Sequence, residues 1–217
     1  MRRILPVASS MLRATVALAL TAVLAGCSSL GSSLGSALAT PTSPASQVAT
    51  ATGAARQGAG AALPEIHDPK KVTYSRTLTS CRFRDGGLLP DPVCTPGAID
   101  PAVTQTDIRS TICRSGYTAT VRPPAGETAH AKFDVAYPAY HVRHSATSEL
   151  DHLVSLELGG SNDIANLWPE VGKQPNPKDA VENALHRAVC DGKVSLAAAQ
   201  QAIATDWITA EARLGLR

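Results

Sequence analysis

The sequence predicts an α+β domain behind an N-terminal leader and tether. Three observations carry that expectation. Leu150, His152, Val154, Leu156 and Leu158 alternate with Asp151, Ser155 and Glu157, and after a Gly159 to Asp163 turn cluster Ile164 to Trp168 returns as a short strand, stopped by Pro169. That pattern reads as a β-hairpin with a long loop. Asn176-Pro177 then supplies an N-cap and a proline at the first helical position, opening a helix to about Cys190 that Asp191-Gly192 ends. Residues 1–63 form no domain of their own, so the folded part is placed at 64–217, with a short β-rich N-terminal part and a C-terminal helix.

The leader occupies residues 1–26. Arg2, Arg3 and Arg13 precede the apolar run Ala14 to Ala25, and Leu24-Ala25-Gly26-Cys27 resembles the lipobox of bacterial lipoproteins. The resemblance implies cleavage before Cys27, lipidation of its thiol, and an exported protein anchored to the bacterial cell membrane on its extracytoplasmic side. The apolar run is too short to span a bilayer comfortably. Residues 27–63 are a Ser/Gly/Ala tether, with Arg56 as the single charge. Residues 1–26 hold three Arg and no acid. Of 20 basic and 18 acidic residues, 17 and 18 remain, and a net charge of +2 becomes −1. Bulk charge therefore gives no sign of an anionic partner.

Four cysteines remain beyond Cys27, an even number that fits two disulfides in an exported protein. Of the three pairings, Cys81–Cys94 with Cys113–Cys190 is preferred. The first closes a short loop through Gly86-Gly87, and the second ties the middle of the domain to the late helix. A Cys₄ zinc site is disfavoured, because no C-x₂-C spacing exists. Between residues 64 and 150 the pattern is weak. Asp107 to Arg114 reads as a short helix or strand, Tyr117 to Arg122 as a strand ended by Pro123-Pro124, and Ala131 to Tyr137 as either. His130, His141 and His144 read as exposed loop histidines. Ser195 to Leu214 is an Ala-rich helix whose Leu196, Ala199, Ile203, Trp207 and Ala210 share a face that packs on the core.

On the helix after the hairpin, Ala180, Val181, Ala184, Leu185, Ala188 and Val189 form the expected buried stripe. Asp179, Glu182, Asn183 and His186 fall on the other side. Glu149-Leu150-Asp151-His152-Leu153, Leu156 to Gly160, Asn166 to Pro169, Lys178-Asp179, Glu182-Asn183, His186 and Val189-Cys190 follow in order. This series resembles the HNH (ββα-metal, or His-Me finger) endonucleases, and in particular an exported HNH-like group. With Cys94 to Gly97 and Thr111 to Cys113 upstream, the resemblance covers roughly residues 90–207.

The resemblance implies a ββα-metal core and metal-dependent hydrolysis of phosphodiester bonds, with DNA as the substrate and RNA as an additional one. His152 would be the general base, since imidazole is neutral and basic near pH 7. Asp151 would supply a hard oxygen to Mg²⁺ or Mn²⁺. A helix residue would complete the metal site: Asn183 by preference, with Asn176 and His186 behind it. His186 would shift the preference towards Zn²⁺. Asn166, the middle Asn of the motif, would hydrogen-bond across the hairpin and hold the His152 loop. Lys178, Arg143 and Arg187 could meet phosphates or be ordinary surface charges. In a regular strand Asp151 and His152 face opposite ways, so a shared site requires a strand end, twist or bulge. The chain is expected to be a monomer. The alternative is a non-catalytic envelope lipoprotein using a degenerate HNH scaffold for binding. A third reading, a peptidase or wall hydrolase, lacks any Ser/His/Asp or H-E-x-x-H pattern.

Overall fold

The computed structural model describes residues 61–68 and 70–217. The leader, Cys27 with its expected lipid, and tether residues up to 60 lie outside the described residues. The fold mixes helix and strand. Helices α1 (Tyr117–Val121) and α2 (Ala125–His130) lead through a π-helical stretch, Ala131–Ala136, into the short α3 (Tyr137–Ala139). Strands β1 (Ser148–His152) and β2 (Leu167–Val171) pair antiparallel. Three helices follow: α4 (Pro177–Cys190), α5 (Leu196–Asp206) and α6 (Ala210–Arg213). No helix among the described residues is long and apolar enough to cross a membrane.

The hairpin lies between two apolar clusters. One joins Val154 and Leu158 of its loop to Val181, Leu185 and Val189 of α4 and to Ile203 and Trp207. The other gathers Leu153, Ile164, Leu167 and Trp168 with Ala131, Ala136 and Tyr140. The connection between the strands is therefore core, not surface. Much of its backbone is bonded within the loop and through Asn166, as buried backbone requires, whereas Ser155 Oγ and Glu157 Oε1 are buried without a partner. Gly160 makes the tightest approach: a methyl there would sit 1.8 Å from the Val154 carbonyl oxygen. Helix α4 starts with a capping box, in which Asn176 Oδ1 accepts from the Lys178 amide and Asp179 accepts from the Asn176 amide.

Several expectations are corrected here. The alternation running to Leu158 overestimates β1, which ends at His152; Leu156–Leu158 is a 3₁₀ turn instead. Pro169 does not stop β2 but pairs with Leu150, a placement open to proline in a two-stranded sheet where each strand has a free edge. The segment read as a strand at 117–122 is helix α1, and Tyr117, Thr118 and Val121 are its half-buried residues. A strand would bury Tyr117, Ala119 and Val121 together; Ala119 is exposed instead and Thr118 is half-buried, which is the spacing of a helical face. Asp107 to Arg114 forms turns. The N-terminal part is not β-rich: it contributes isolated bridges, such as Glu65 with Ile99 and Thr73 with Asp163. Leu63, assigned to the tether, packs against the core. Ala180 is exposed rather than part of the buried stripe, and its place is taken by Lys178. The C-terminal helix is divided between α5 and α6. Trp207 follows α5 and is buried, and its Nε1 donates to the Leu88 carbonyl at 2.7 Å.

The disulfides are Cys81–Cys94 and Cys113–Cys190. The second joins residues 77 apart and anchors the end of α4. Replacing both Cys113 and Cys190 by Ala should lower unfolding stability by about 4–5 kcal/mol on the chain-entropy account. Urea denaturation checks this, and a loss under about 1 kcal/mol would contradict that account.

Candidate functional site

A cleft of about 370 Å³ opens where the end of β1 meets the loop and the first turns of α4. Asp151, His152 and Asn183 all line it, so three of the residues singled out in the sequence are brought together. The strand-end condition is met, since His152 is the last residue of β1. Two other candidates are elsewhere. Asn176 spends its side chain capping α4. His186 bonds through Nε2 to the Ile112 carbonyl at 2.9 Å, and its Nδ1 lies 3.7 Å from Glu157. Asn183 is exposed, and its amide donates to the Asp179 carbonyl at 2.6 Å on its own helix.

His152 is held by a chain of groups from distant parts of the sequence. Its Nε2 lies 2.9 Å from Asn162 Oδ1. Asn162 Nδ2 is committed to acceptors on the far side: Asp68 Oδ1 at 2.9 Å, the Val121 carbonyl at 3.1 Å and the Asp68 carbonyl at 3.3 Å. The amide orientation is thereby fixed, and Oδ1 must be the atom facing the imidazole. Neutral His152 is then the Nε2–H tautomer, with the basic lone pair on Nδ1. Nδ1 makes no hydrogen bond to the described residues. Burial pushes the His152 pKa down from 6.5 to about 4, against the opposing pull of Asp151. The ring is therefore neutral at pH 7. Burial also raises Asp68 to about 6, opposed by hydrogen bonds from Ser161 and Asn162.

Asn166 lies behind this ring, wholly buried. Its Oδ1 accepts from the Val154 amide at 2.9 Å and the Ala98 amide at 3.3 Å. Its Nδ2 donates to the Val154 and Ser161 carbonyls at 2.9 and 2.8 Å. One amide thus closes the loop that carries Asn162, and it has no hydrogen-bonding capacity left for a ligand.

Lys178 is the charge at the base of the cleft. It is fully buried, which corrects its reading as a phosphate contact or surface residue. Its Nζ donates to Asp151 Oδ2 at 2.7 Å, to the His152 carbonyl at 2.8 Å, and to Glu182. Burial works against the ammonium, but Asp151 and Glu182 outweigh it and hold its pKa above the ordinary lysine value. Three donors meet three acceptors, so the ion is fully paired.

The charged groups in the rest of the lining are mostly acidic. Glu149, Glu157, Asp179 and Glu182 face the cleft, with Arg122 as its cation. Behind it, β2 adds Glu170. Register places Glu170 directly opposite Glu149, on the face that also carries Asp151. Burial pushes Glu170 up to about 8, and Asp151 adds to the shift. A second cavity of about 450 Å³, lined by Arg122, Lys132, Phe133, Leu150 and Leu167, shares His152 as a wall.

Asp68, Asn162 and Glu170 were missed as site residues, and Lys178 was read only as a phosphate contact or surface charge, not as the buried partner of Asp151. Lys178 alone left a signal, because it continues the 181, 185, 188 stripe backwards at helical spacing. No family model, curated protein or solved structure matches the chain.

Two outcomes follow from these charges. Lys178→Met should cost about 3–5 kcal/mol, since it strands Asp151, Glu182 and the His152 carbonyl. A melt within about 1 kcal/mol of wild type would contradict the pairing. In EDTA, the second outcome concerns pH. A carboxyl with a raised folded pKa stabilises below its unfolded value of 4.5, and that contribution is lost as pH rises through about 8. Glu170 is faced by Glu149, Asp151, Lys178 and Glu182. Urea midpoints of the wild type should fall as pH rises towards 8, and the fall should be smaller in Glu170→Gln. Parallel slopes in the two proteins would count against it.

Proposed function

We propose that the chain is a metal-dependent phosphodiester hydrolase, an endonuclease acting on DNA and secondarily on RNA, outside the cytoplasm and tethered through a lipid at Cys27. The observation that carries this reading is a cleft lined by both Asp151 and neutral His152, whose Nδ1 makes no hydrogen bond to the described residues. The order of those residues, with Asn166 behind them, is that of the HNH-like series.

In this reading His152 Nδ1 takes the proton of the attacking water. The imidazolium so formed keeps its Nε2–H bond to Asn162, backed by Asp68. Arg122 at the rim holds a phosphate oxygen. Asp151 has one oxygen on Lys178 and offers the other to a cation, and Lys178 keeps the carboxylate oriented. Asn183 lines the same cleft and could contribute its amide oxygen. A divalent ion, Mg²⁺ or Mn²⁺, would offset the charge that builds on the phosphate. Oxygen donors suit these hard ions better than Zn²⁺.

The acidic lining favours a second reading, a non-catalytic envelope module that binds cations or a cationic partner. A polyanion approaching Glu149, Glu157, Asp179 and Glu182 is repelled unless cations intervene. Supercoiled plasmid separates the two readings. The purified chain should nick it with Mg²⁺ or Mn²⁺ and stop in EDTA. His152→Ala should slow nicking by about 10²–10⁴-fold while keeping the far-ultraviolet dichroism of the wild type. Equal nicking by that variant would remove His152 from the mechanism, and no nicking with either ion would leave the binding module.

A further inference from the structure

We propose that the hairpin itself holds one hard divalent cation between Glu149, Asp151 and Glu170, with Glu170 as the ligand contributed by β2. One oxygen of each carboxylate lies within 4.8 Å of the others. The arrangement follows from register. Glu149 and Glu170 are cross-strand partners, and Asp151 is two residues along β1 on the same face. Like charges directly opposite on an antiparallel pair repel.

Glu170 is the decisive residue. It is 3% exposed, and both its carboxylate oxygens lack a hydrogen-bond partner. A carboxyl group removed from water with neither oxygen partnered is disfavoured whether or not it carries a proton, so such a group points to a ligand. The neighbouring ammonium does not fill this role. Lys178 Nζ is used up on Asp151 Oδ2, Glu182 and the His152 carbonyl. Glu149 is steadied by a hydrogen bond from Gln174 and keeps capacity for a cation. Three carboxylates converging from two rigid strands make an all-oxygen set, which suits Mg²⁺, Mn²⁺ or Ca²⁺. The other close trio among the described residues, Cys113, His186 and Cys190, is not comparable, because its sulfurs are joined in a disulfide.

This site rests on the cation part of the hydrolase reading and shares Asp151 with it, but it replaces the helix ligand with Glu149 and Glu170. Cation binding can therefore be tested without catalysis. Mn²⁺ is added to the full-length chain, and free Mn²⁺ is read by electron paramagnetic resonance. The expected result is about one bound Mn²⁺ per chain, with affinity weakened about tenfold or more in Glu170→Gln and in Glu149→Gln. Mn²⁺ should also raise the melting temperature of the wild type and leave that of Glu170→Gln unchanged. If Glu170→Gln does not fold, the half-buried Glu149→Gln carries the comparison. Unchanged Mn²⁺ affinity in the Gln variants, or a loss confined to Asn183→Ala, would overturn the proposal whatever the plasmid result. Mn²⁺ bound through Glu170 without plasmid nicking would uphold it and defeat the hydrolase reading alone.

Discussion

The geometry of this domain depends on one buried ammonium. Lys178 sits in the first turn of α4 and reaches the end of β1, where it binds both the Asp151 carboxylate and the His152 carbonyl. Glu182, one turn further along α4, closes the set. The contact joins hairpin to helix at the point where the cleft opens, and so fixes the distance between its walls. It also determines which charges remain available, since it holds one oxygen of Asp151 and none of Glu170. A buried ion pair is seldom the cheapest way to stabilise a core, because an apolar pair of similar volume often does as well. Its value here lies in specifying how the helix docks and in holding Asp151 beside a neutral imidazole.

The second constraint is the buried connection between the strands. Asn166 spans it with four hydrogen bonds, and Gly160 lets the Val154 carbonyl approach where no side chain would fit. Asp163 extends the same network to the N-terminal segment, accepting from Thr73 Oγ1 at 2.7 Å and the Ser75 amide at 2.9 Å. The segment carrying Asp68 is thereby tied beside the loop, and Asp68 in turn orients Asn162 against His152. Rigidity of the imidazole is thus bought by contacts spanning about 90 residues of sequence.

Those long separations explain what could be read in advance. The hairpin and α4 were legible because Pro177 behind Asn176, and the turn cluster Gly159 to Asp163, are local signals. Asp151, His152 and Asn166 stood out through their order in the series that resembles the HNH endonucleases. Asp68 was not legible, because nothing near it in sequence shows that Asn162 will lie against it. Glu170 was hidden by Pro169: treating proline as a strand end removed the register that sets Glu170 opposite Glu149. Tyr117 to Val121 was misread because five residues are too few to separate a period of two from one of 3.6. Lys178 was misjudged by residue type, since lysine is rarely fully buried unless paired, and two of its three partners lie on β1.

The proposed cation would lie on the hairpin face beside the cleft where Lys178 joins hairpin to helix. The most direct measurement is anomalous diffraction at the manganese edge from crystals of the chain grown with Mn²⁺. The account predicts one peak within coordination distance of Glu149, Asp151 and Glu170, with the Lys178 ammonium still on Asp151. A peak ligated by Asn183 without Glu170, or no peak on the hairpin face, would contradict it.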